Sequence, residues 1–113
     1  MSVKISWHPQ EFLSNLNFET EVAIEEIGQT VEEKAKEEVP VKTGALQRSI
    51  KHDNDMQITY KETEVSANTD YAIHVEYGTR RQQANPFMRR TLFGSIESII
   101  SIVSDAVRRA TKD

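Results

Sequence analysis

The C-terminal third of the chain carries the strongest periodic pattern of apolar residues. Asn85 supplies a helix cap and Pro86 a first helical position, and apolar side chains then recur every three or four residues up to about Ala110. This spacing predicts a long amphipathic helix whose apolar stripe packs into the core. Ile102 points away from that stripe and is predicted to make an exposed contact. The stripe consists of Leu92, Phe93, Ile96, Ile99, Ile100, Val103 and Val107.

A second long helix is predicted over residues 10 to 38. This segment has no proline and is rich in Glu, Lys and Ala. Pro40 disfavours helical dihedrals at Val39, so the helix should end close to Glu38. Gly28 is a weak point in its middle. The apolar residues recur at intervals of three, four or seven, and they are Phe12, Leu16, Ala23, Ile27, Val31 and Ala35.

Between the two helices the pattern changes to that of short strands. Three runs, at residues 46–50, 56–60 and 64–67, are bounded by polar turns at residues 42–44, 53–55 and 61–63. The alternation of Met56, Ile58 and Tyr60 places these three side chains on one face. The residues before Pro9 are predicted to form a tail.

The segment before the last helix is less regular. Residues 71 to 77 are compatible with a short helical turn or a strand, and a polar loop follows from Gly78 to Gln83. The order of elements predicts an α+β fold: a small antiparallel three- to four-stranded sheet packed by a long N-terminal helix and a long C-terminal helix. A length of 113 residues fits a single domain, residues 1–113.

Composition and charge narrow the classes of function. The chain has no cysteine, which leaves neither disulfides nor thiolate metal sites, and it has no apolar stretch near the roughly 20 residues of a membrane span. We therefore expect a soluble protein with no membrane partner. The net charge is −4, with acidic residues concentrated in residues 10–39 and basic residues in 80–113. This asymmetry indicates either solvated helix faces or charge-complementary contacts between subunits.

No catalytic site is predicted. His74 and Glu76 have the spacing of half a zinc deaminase motif, but that motif also needs a cysteine pair. The chain lacks a nucleophile elbow and a glycine-rich phosphate loop. A small hydrolase, which would need a clustered nucleophile and base, is therefore the weaker alternative. We expect no enzyme activity, no cofactor and no metal.

Arginine doublets support a different alternative. Arg80, Arg81, Arg89 and Arg90 could contact phosphates, which would make the chain a nucleic-acid-binding accessory protein. The doublets lack interleaved aromatic residues, and the chain is acidic overall. Specific nucleic-acid binding is thus the second interpretation.

Three sequence blocks, taken in order, resemble the neck and tail-completion family of long-tailed phages and prophages. The family pattern is approximately Pro-x-x-Thr-Gly-x-Leu-x-x-Ser-Ile, then Tyr-Ala-x-x-Val-Glu-x-Gly-Thr, then Pro-Phe. In this chain the matching blocks are residues 39–50, 71–79 and 84–88. Met88 and the Arg89-Arg90-Thr91 stretch depart from the family pattern, which affects only the entry to the last helix.

The resemblance implies a structural virion assembly protein. Subunits of this family form a ring, commonly of six copies, that joins the phage head to the tail between head-completion proteins and the tail tube protein. The resemblance implies that DNA passes nearby without specific binding, and that the protein lies in the virion after assembly in the host bacterial cytoplasm. Core packing is an alternative role for Tyr71 and Phe87. The expected oligomer and partner interface comprises Tyr71, Glu76, Tyr77, Gly78, Thr79, Arg80, Arg81, Phe87, Arg89 and Arg90.

Overall fold

A computed structural model describes residues 1–8, 14–39, 44–57, 60–69, 72–80 and 83–111, with side chains described from residue 18 onward in the first helix. The fold is α+β, as predicted, with one three-stranded antiparallel sheet and two long helices. The elements are β1 (Ser2–Trp7), α1 (Ser14–Glu38), α2 (Gly44–Ser49), β2 (Ile50–Met56), β3 (Lys61–Ala67), α3 (Ala72–Tyr77) and α4 (Phe87–Ala110).

β3 is the central strand of the sheet. It pairs with β1 on one side and β2 on the other, so that Val65 lies opposite both Val3 and His52. Side chains alternate across a strand, and in β3 the alternation divides buried residues from half-buried ones. α1 covers the buried face. The buried residues of β3 are Lys61, Thr63, Val65 and Ala67.

α1 places one continuous stripe in the core. Thr20, Ala23, Ile24, Ile27, Val31 and Ala35 are each no more than 1% exposed. The predicted core positions Ala23, Ile27, Val31 and Ala35 are confirmed, as is the end of the helix at Glu38. Phe12 and the side chain of Leu16 lie outside the described residues.

α4 packs along α1 in the antiparallel direction, with an ion pair near each end. Arg90 Nε lies 2.8 Å from Glu38 Oε2, and Arg109 Nε lies 2.7 Å from Glu19 Oε2. The buried line of the helix is made mainly of small residues, which allow close approach of the two helix axes. Beyond the first turn, that line comprises Thr91, Ser95, Ile102, Ala106 and Ala110.

The prediction for the apolar stripe of α4 was therefore wrong in two respects. Ile102 is buried, whereas Phe93, Ile96, Ile100 and Val107 are exposed. Leu92, Ile99 and Val103 are only half-buried. The apolar arc of α4 is wider than the surface that α1 and the sheet offer it, so the larger side chains extend into solvent.

The strand predictions were partly wrong. Residues 46–49 belong to α2, and β2 runs through the predicted turn at 53–55 because it is an edge strand with a polar outer side. β3 begins at Lys61 and includes the predicted turn 61–63, although its second half was predicted correctly. β1 was missed despite a clear alternation of Val3, Ile5 and Trp7 with polar residues. Ile58 lies outside the described residues.

The molecule is elongated. Its principal extents are 57 × 23 × 20 Å and its radius of gyration is 16.0 Å, compared with about 13 Å for a compact domain of this length. Much of the surface therefore lies along the sides of α1 and α4. Within the described residues, neither long helix contains a stretch apolar enough to cross a bilayer.

At Gly28, α1 lies so close to the sheet that a side chain would collide with it. A Cβ added to Gly28 would lie 2.7 Å from His52 Cδ2 and would also collide with Thr63 Oγ1. Only a residue without a side chain fits here, so the apparent weak point of the helix is a packing requirement.

Beside Gly28, two glutamates of α1 form hydrogen bonds with a histidine of β2. His52 Nε2 lies 2.9 Å from Glu25 Oε1 and His52 Nδ1 lies 3.0 Å from Glu32 Oε1. A histidine that donates from both ring nitrogens is protonated. Burial alone would lower the pKa of His52, but its hydrogen bonds to Glu25 and Glu32 outweigh burial and raise the pKa above its ordinary value of 6.5.

The partner carboxylate shifts in the opposite direction. Burial would raise the pKa of Glu32, but hydrogen bonds from His52 and Lys36 outweigh burial and lower the pKa below its ordinary value of 4.5. His52 and Glu32 are therefore both charged in weakly acidic solution.

Gly28 of α1 and Gly94 of α4 provide a matched pair of substitutions. Gly28→Ala is expected to destabilise the protein by about 1–3 kcal/mol, because Thr63 and His52 must move. In Gly94→Ala the new Cβ meets only the flexible end of Lys34, at 3.1 Å, so the higher helix propensity of alanine should leave stability unchanged or raise it by up to about 1 kcal/mol. Urea unfolding measures both. Equal effects at the two sites would contradict the packing role of Gly28.

The stabilisation contributed by His52 is expected to depend on pH. Because its folded pKa is raised, the contribution is complete below about pH 6.5 and is lost as the pH rises through the folded pKa. The difference in unfolding free energy between the wild type and His52→Gln should therefore be larger at pH 6 than at pH 8.5, as measured by urea unfolding. Groups that titrate equally in both proteins cancel in this difference. A difference that grows with pH would refute the protonated arrangement.

Candidate interaction site

α3 and the loop that follows it bring the second and third sequence blocks together. Ala72 and Val75 bury the inner side of this short helix. Gly78 ends it in a left-handed conformation, with φ of 82°, which favours glycine because other residues are strained there. The N–H of Asn85 then donates to the carbonyl of Val75 at 2.7 Å. The chain thus returns to α3 before α4 begins.

Glu76 is the centre of this arrangement. Its side chain is 1% exposed, and its carboxylate accepts hydrogen bonds from the backbone N–H groups of Met88 at 2.8 Å and Arg89 at 3.3 Å. These are among the first N–H groups of α4, which have no partner within the helix. A negative charge at this end also suits the helix dipole. Glu76 therefore acts as the N-terminal cap of α4 from outside the helix.

The predicted cap was wrong. Pro86 is the cap residue by position, Phe87 is the first helical residue, and no side chain of the cap residue bonds to the helix. Asn85 instead accepts a hydrogen bond from Arg90. The helix starts one residue later than predicted, and its first N–H groups are capped by the buried carboxylate of Glu76.

Arg89 balances the charge of Glu76. Its Nε donates to Glu76 Oε2 at 2.8 Å and its Nη2 to the backbone carbonyl of Glu76 at 3.1 Å. The guanidinium carbon also lies 5.2 Å from the centre of the Tyr77 ring, a favourable cation–π distance. Arg89 thus contacts both the buried carboxylate of Glu76 and the exposed ring of Tyr77.

Arg90 joins the same loop to α1. Its Nε donates to Glu38 Oε2 at 2.8 Å and its Nη2 to the carbonyl of Glu38 at 3.1 Å. The hydrogen bond from Arg90, and then that from Lys34, lower the pKa of Glu38. One of the carbonyls left without a partner at the C-terminal end of α1 is satisfied in this way.

The predicted interface residues fall into three groups. Glu76 and Phe87 are buried inside the protomer. Tyr77, Thr79, Arg80, Arg89 and Arg90 are exposed, and Gly78 is half-buried. Tyr71 and Arg81 lie outside the described residues. The structure brings Glu76, Tyr77 and Arg89 together, while Arg90 lies against the end of α1. Contact of these residues with a partner stays a prediction.

A small cleft opens next to Tyr77. It has a volume of about 130 Å³ and lies between β1, α3 and the first turns of α4. Its walls are mostly apolar, and Glu76 and Arg89 are its charged members. His74 is exposed. Across the part of the chain that the structure describes, no group of three His, Cys, Asp or Glu residues could hold a metal ion.

Two features of this region were missed by the sequence reasoning. Glu76 lies twelve residues before Met88, and no local capping motif spans that distance. The exposed apolar side of α4 was assigned to the core. The large side chains on this side favoured a core position. The small residues on the opposite side of α4 were the sequence signal that the helix could bury that side instead and leave the large residues exposed.

Comparison with known families covers the first sequence block, 39–50, and the second block as far as Gly78. Residues 16–78 match the profile of the family described as "Bacteriophage HK97-gp10, putative tail-component". The match covers more than half of the chain. The chain belongs to the HK97-gp10-like family. No curated protein and no solved structure matches the chain significantly.

Membership of the HK97-gp10-like family confirms the resemblance found in the sequence and identifies a phage structural protein. The matched segment begins in α1 and ends at Gly78. It therefore includes Glu76 but not α4, the helix that Glu76 caps.

Removing the Glu76 carboxylate is expected to weaken the packing of α3 against the start of α4. Glu76→Ala leaves the N–H groups of Met88 and Arg89 without an acceptor and should lower the unfolding free energy by about 2–3 kcal/mol. Glu76→Gln keeps one acceptor oxygen and should restore part of that loss. Exposed Glu97 on α4 provides the control, because Glu97→Ala should change stability by less than about 0.5 kcal/mol. Chemical denaturation measures all three, and equal effects of Glu76→Ala and Glu97→Ala would contradict the capping role.

Proposed function

We propose that this protein is a structural subunit of an oligomeric ring that joins the phage head to the tail, as a neck or tail-completion protein. The observation that carries the proposal is the family match over residues 16–78. The family is one of phage structural components, and the role proposed here is non-enzymatic. The ring, its six-fold symmetry and its place in the virion are parts of the proposal.

The geometry around Glu76 supports a role in protein contact. The ion pair with Arg89 fixes α3 against α4, and Tyr77 stands on that rigid base with 62% of its surface exposed. A preorganised aromatic side chain loses little entropy on binding, and tyrosine and arginine dominate many protein interfaces. Such a surface binds another polypeptide without making or breaking a covalent bond.

The proposed partner surface comprises Tyr77, Gly78, Thr79 and Arg80, with Arg89 and Arg90 beside them. Glu76 and Phe87 support this surface from inside the protomer. We also assign Tyr71 and Arg81 to this surface. The partners that we assign are further copies of the chain, a head-completion protein and the tail tube protein.

The charge on α1 is compatible with DNA passing close by. Its solvent-facing side carries several exposed glutamates, so a duplex would be repelled rather than held. These exposed residues include Glu26, Glu33 and Glu37. Specific nucleic-acid binding by the arginine doublets is less well supported, since Arg89 and Arg90 are already paired with carboxylates.

The proposal predicts that the chain is a constituent of the particle. Particles of the phage that encodes it should contain the chain in several copies, as measured by quantitative mass spectrometry, and immunogold labelling should place it between head and tail. Deleting its gene should leave heads and tails that do not join. Particles that lack the chain, or a deletion mutant that still produces joined virions, would overturn the proposal.

A pair of variants tests the proposed surface within the same experiment. Tyr77→Ala with Arg80→Glu should lower the yield of infectious particles at least about tenfold when supplied to the deletion mutant, because an interface anchor and a charge are lost. Ser98→Ala, an exposed change on α4, should restore full yield. Both proteins must unfold at the same denaturant concentration as the wild type. Full yield from the double variant would remove this surface from the proposal.

A further inference from the structure

The exposed side of α4 has the spacing of a helix-packing seam. Phe93, Ile96, Ile100, Val103 and Val107 follow one another at intervals of three, four, three and four residues. Phe93 is 70% exposed and Ile100 is 59% exposed. A helix with this repeat packs best against another helix that has the same repeat. The protomer covers the opposite side of α4 and leaves this one open.

The size of the patch is unusual for a surface that stays in water. An aromatic side chain can bury roughly 150–250 Å², so Phe93 alone leaves on the order of 140 Å² of apolar surface uncovered. Ile96, Ile100 and Val107 add to it, and half-buried Leu92, Ile99 and Val103 make it continuous. The seam from residue 93 to residue 107 is about 21 Å long. Contiguous apolar patches of this kind mark interaction surfaces.

The charge of the patch decides what kind of partner fits it. The position one turn before Phe93 on the same side is Arg89, and its charge is balanced by Glu76 at 2.8 Å. Glu97, Asp105 and Arg108 are exposed charged residues of α4 outside the seam. Two identical seams can therefore meet without opposing like charges, whereas DNA or another charged partner would gain nothing from this surface.

The shape of the seam side chains also suits packing against other copies of α4. Ile96, Ile100, Val103 and Val107 are all β-branched, and β-branched residues at both core positions of a parallel helix repeat favour assemblies of more than two helices. α4 offers such a helix in every copy of the chain. We propose that the α4 seam binds the α4 seam of a second copy of this chain, as one of the contacts between copies.

The α4 contact specifies one partner of the proposed function, a second copy of the chain, and its role in the virion rests on that function. The contact itself is testable on the purified chain. The wild type should sediment as an assembly of two or more chains between micromolar and millimolar concentration. Ile100→Glu should weaken self-association at least about tenfold, whereas the neighbouring change Ser101→Glu should leave it unchanged. Circular dichroism should show the same helix content in all three.

Cross-linking gives a second measurement that does not depend on a disruptive charge. The chain has no cysteine, so Ile100→Cys and Ser101→Cys each introduce a single thiol. A short bismaleimide linker should join copies through position 100 far more efficiently than through position 101, and the cross-link should disappear at high dilution.

The outcomes separate this inference from the proposed function. A wild type that stays monomeric throughout the concentration range, or an assembly that is insensitive to Ile100→Glu and cross-links equally at both positions, overturns the α4 contact. Either result leaves the head-to-tail role standing if the chain is still found in the virion. Assembly through α4 by a chain that is missing from particles would instead overturn the proposed function and leave the contact intact.

Discussion

The buried carboxylate of Glu76 at the N-terminus of α4 is the interaction on which the arrangement of this chain depends. One side chain of α3 satisfies two N–H groups of a 24-residue helix and neutralises Arg89. Two short sequence blocks, 71–79 and 84–88, thereby become a single structural unit. A buried carboxylate without these partners would be costly. Glu76, Arg89 and the first turn of α4 therefore stabilise one another.

Much of the fold follows from local pattern in the sequence. The buried positions of α1 could be predicted from Ala23, Ile27, Val31 and Ala35, because these residues recur at helical spacing along one side of the helix. The central strand could be recognised in part from Val65 and Ala67. β1 was also predictable in principle, since Val3, Ile5 and Trp7 alternate with polar residues. The family blocks indicated the class of protein correctly.

The remaining features depend on contacts between distant residues. The inner side of β2 includes His52, which hydrogen-bonds to Glu25 and Glu32 of α1, and no pattern within β2 reveals those partners. The cap supplied by Glu76 crosses a loop. The apolar arc of α4 shows that the helix is amphipathic, but the part of the arc that is buried depends on how closely α1 can approach.

The rotation of α4 about its axis is fixed by polar contacts, which explains why its largest apolar residues face outward. Arg90 bonds to Glu38 at one end, Arg109 bonds to Glu19 at the other, and Glu76 holds the first turn. Turning the stripe of Phe93 and Ile100 inward would break all three contacts. It would also force bulky side chains into the space now occupied by Ser95 and Ala106, where the two helices are in close contact. The polar contacts therefore keep small residues such as Ser95 and Ala106 inside the protomer and leave Phe93 and Ile100 exposed.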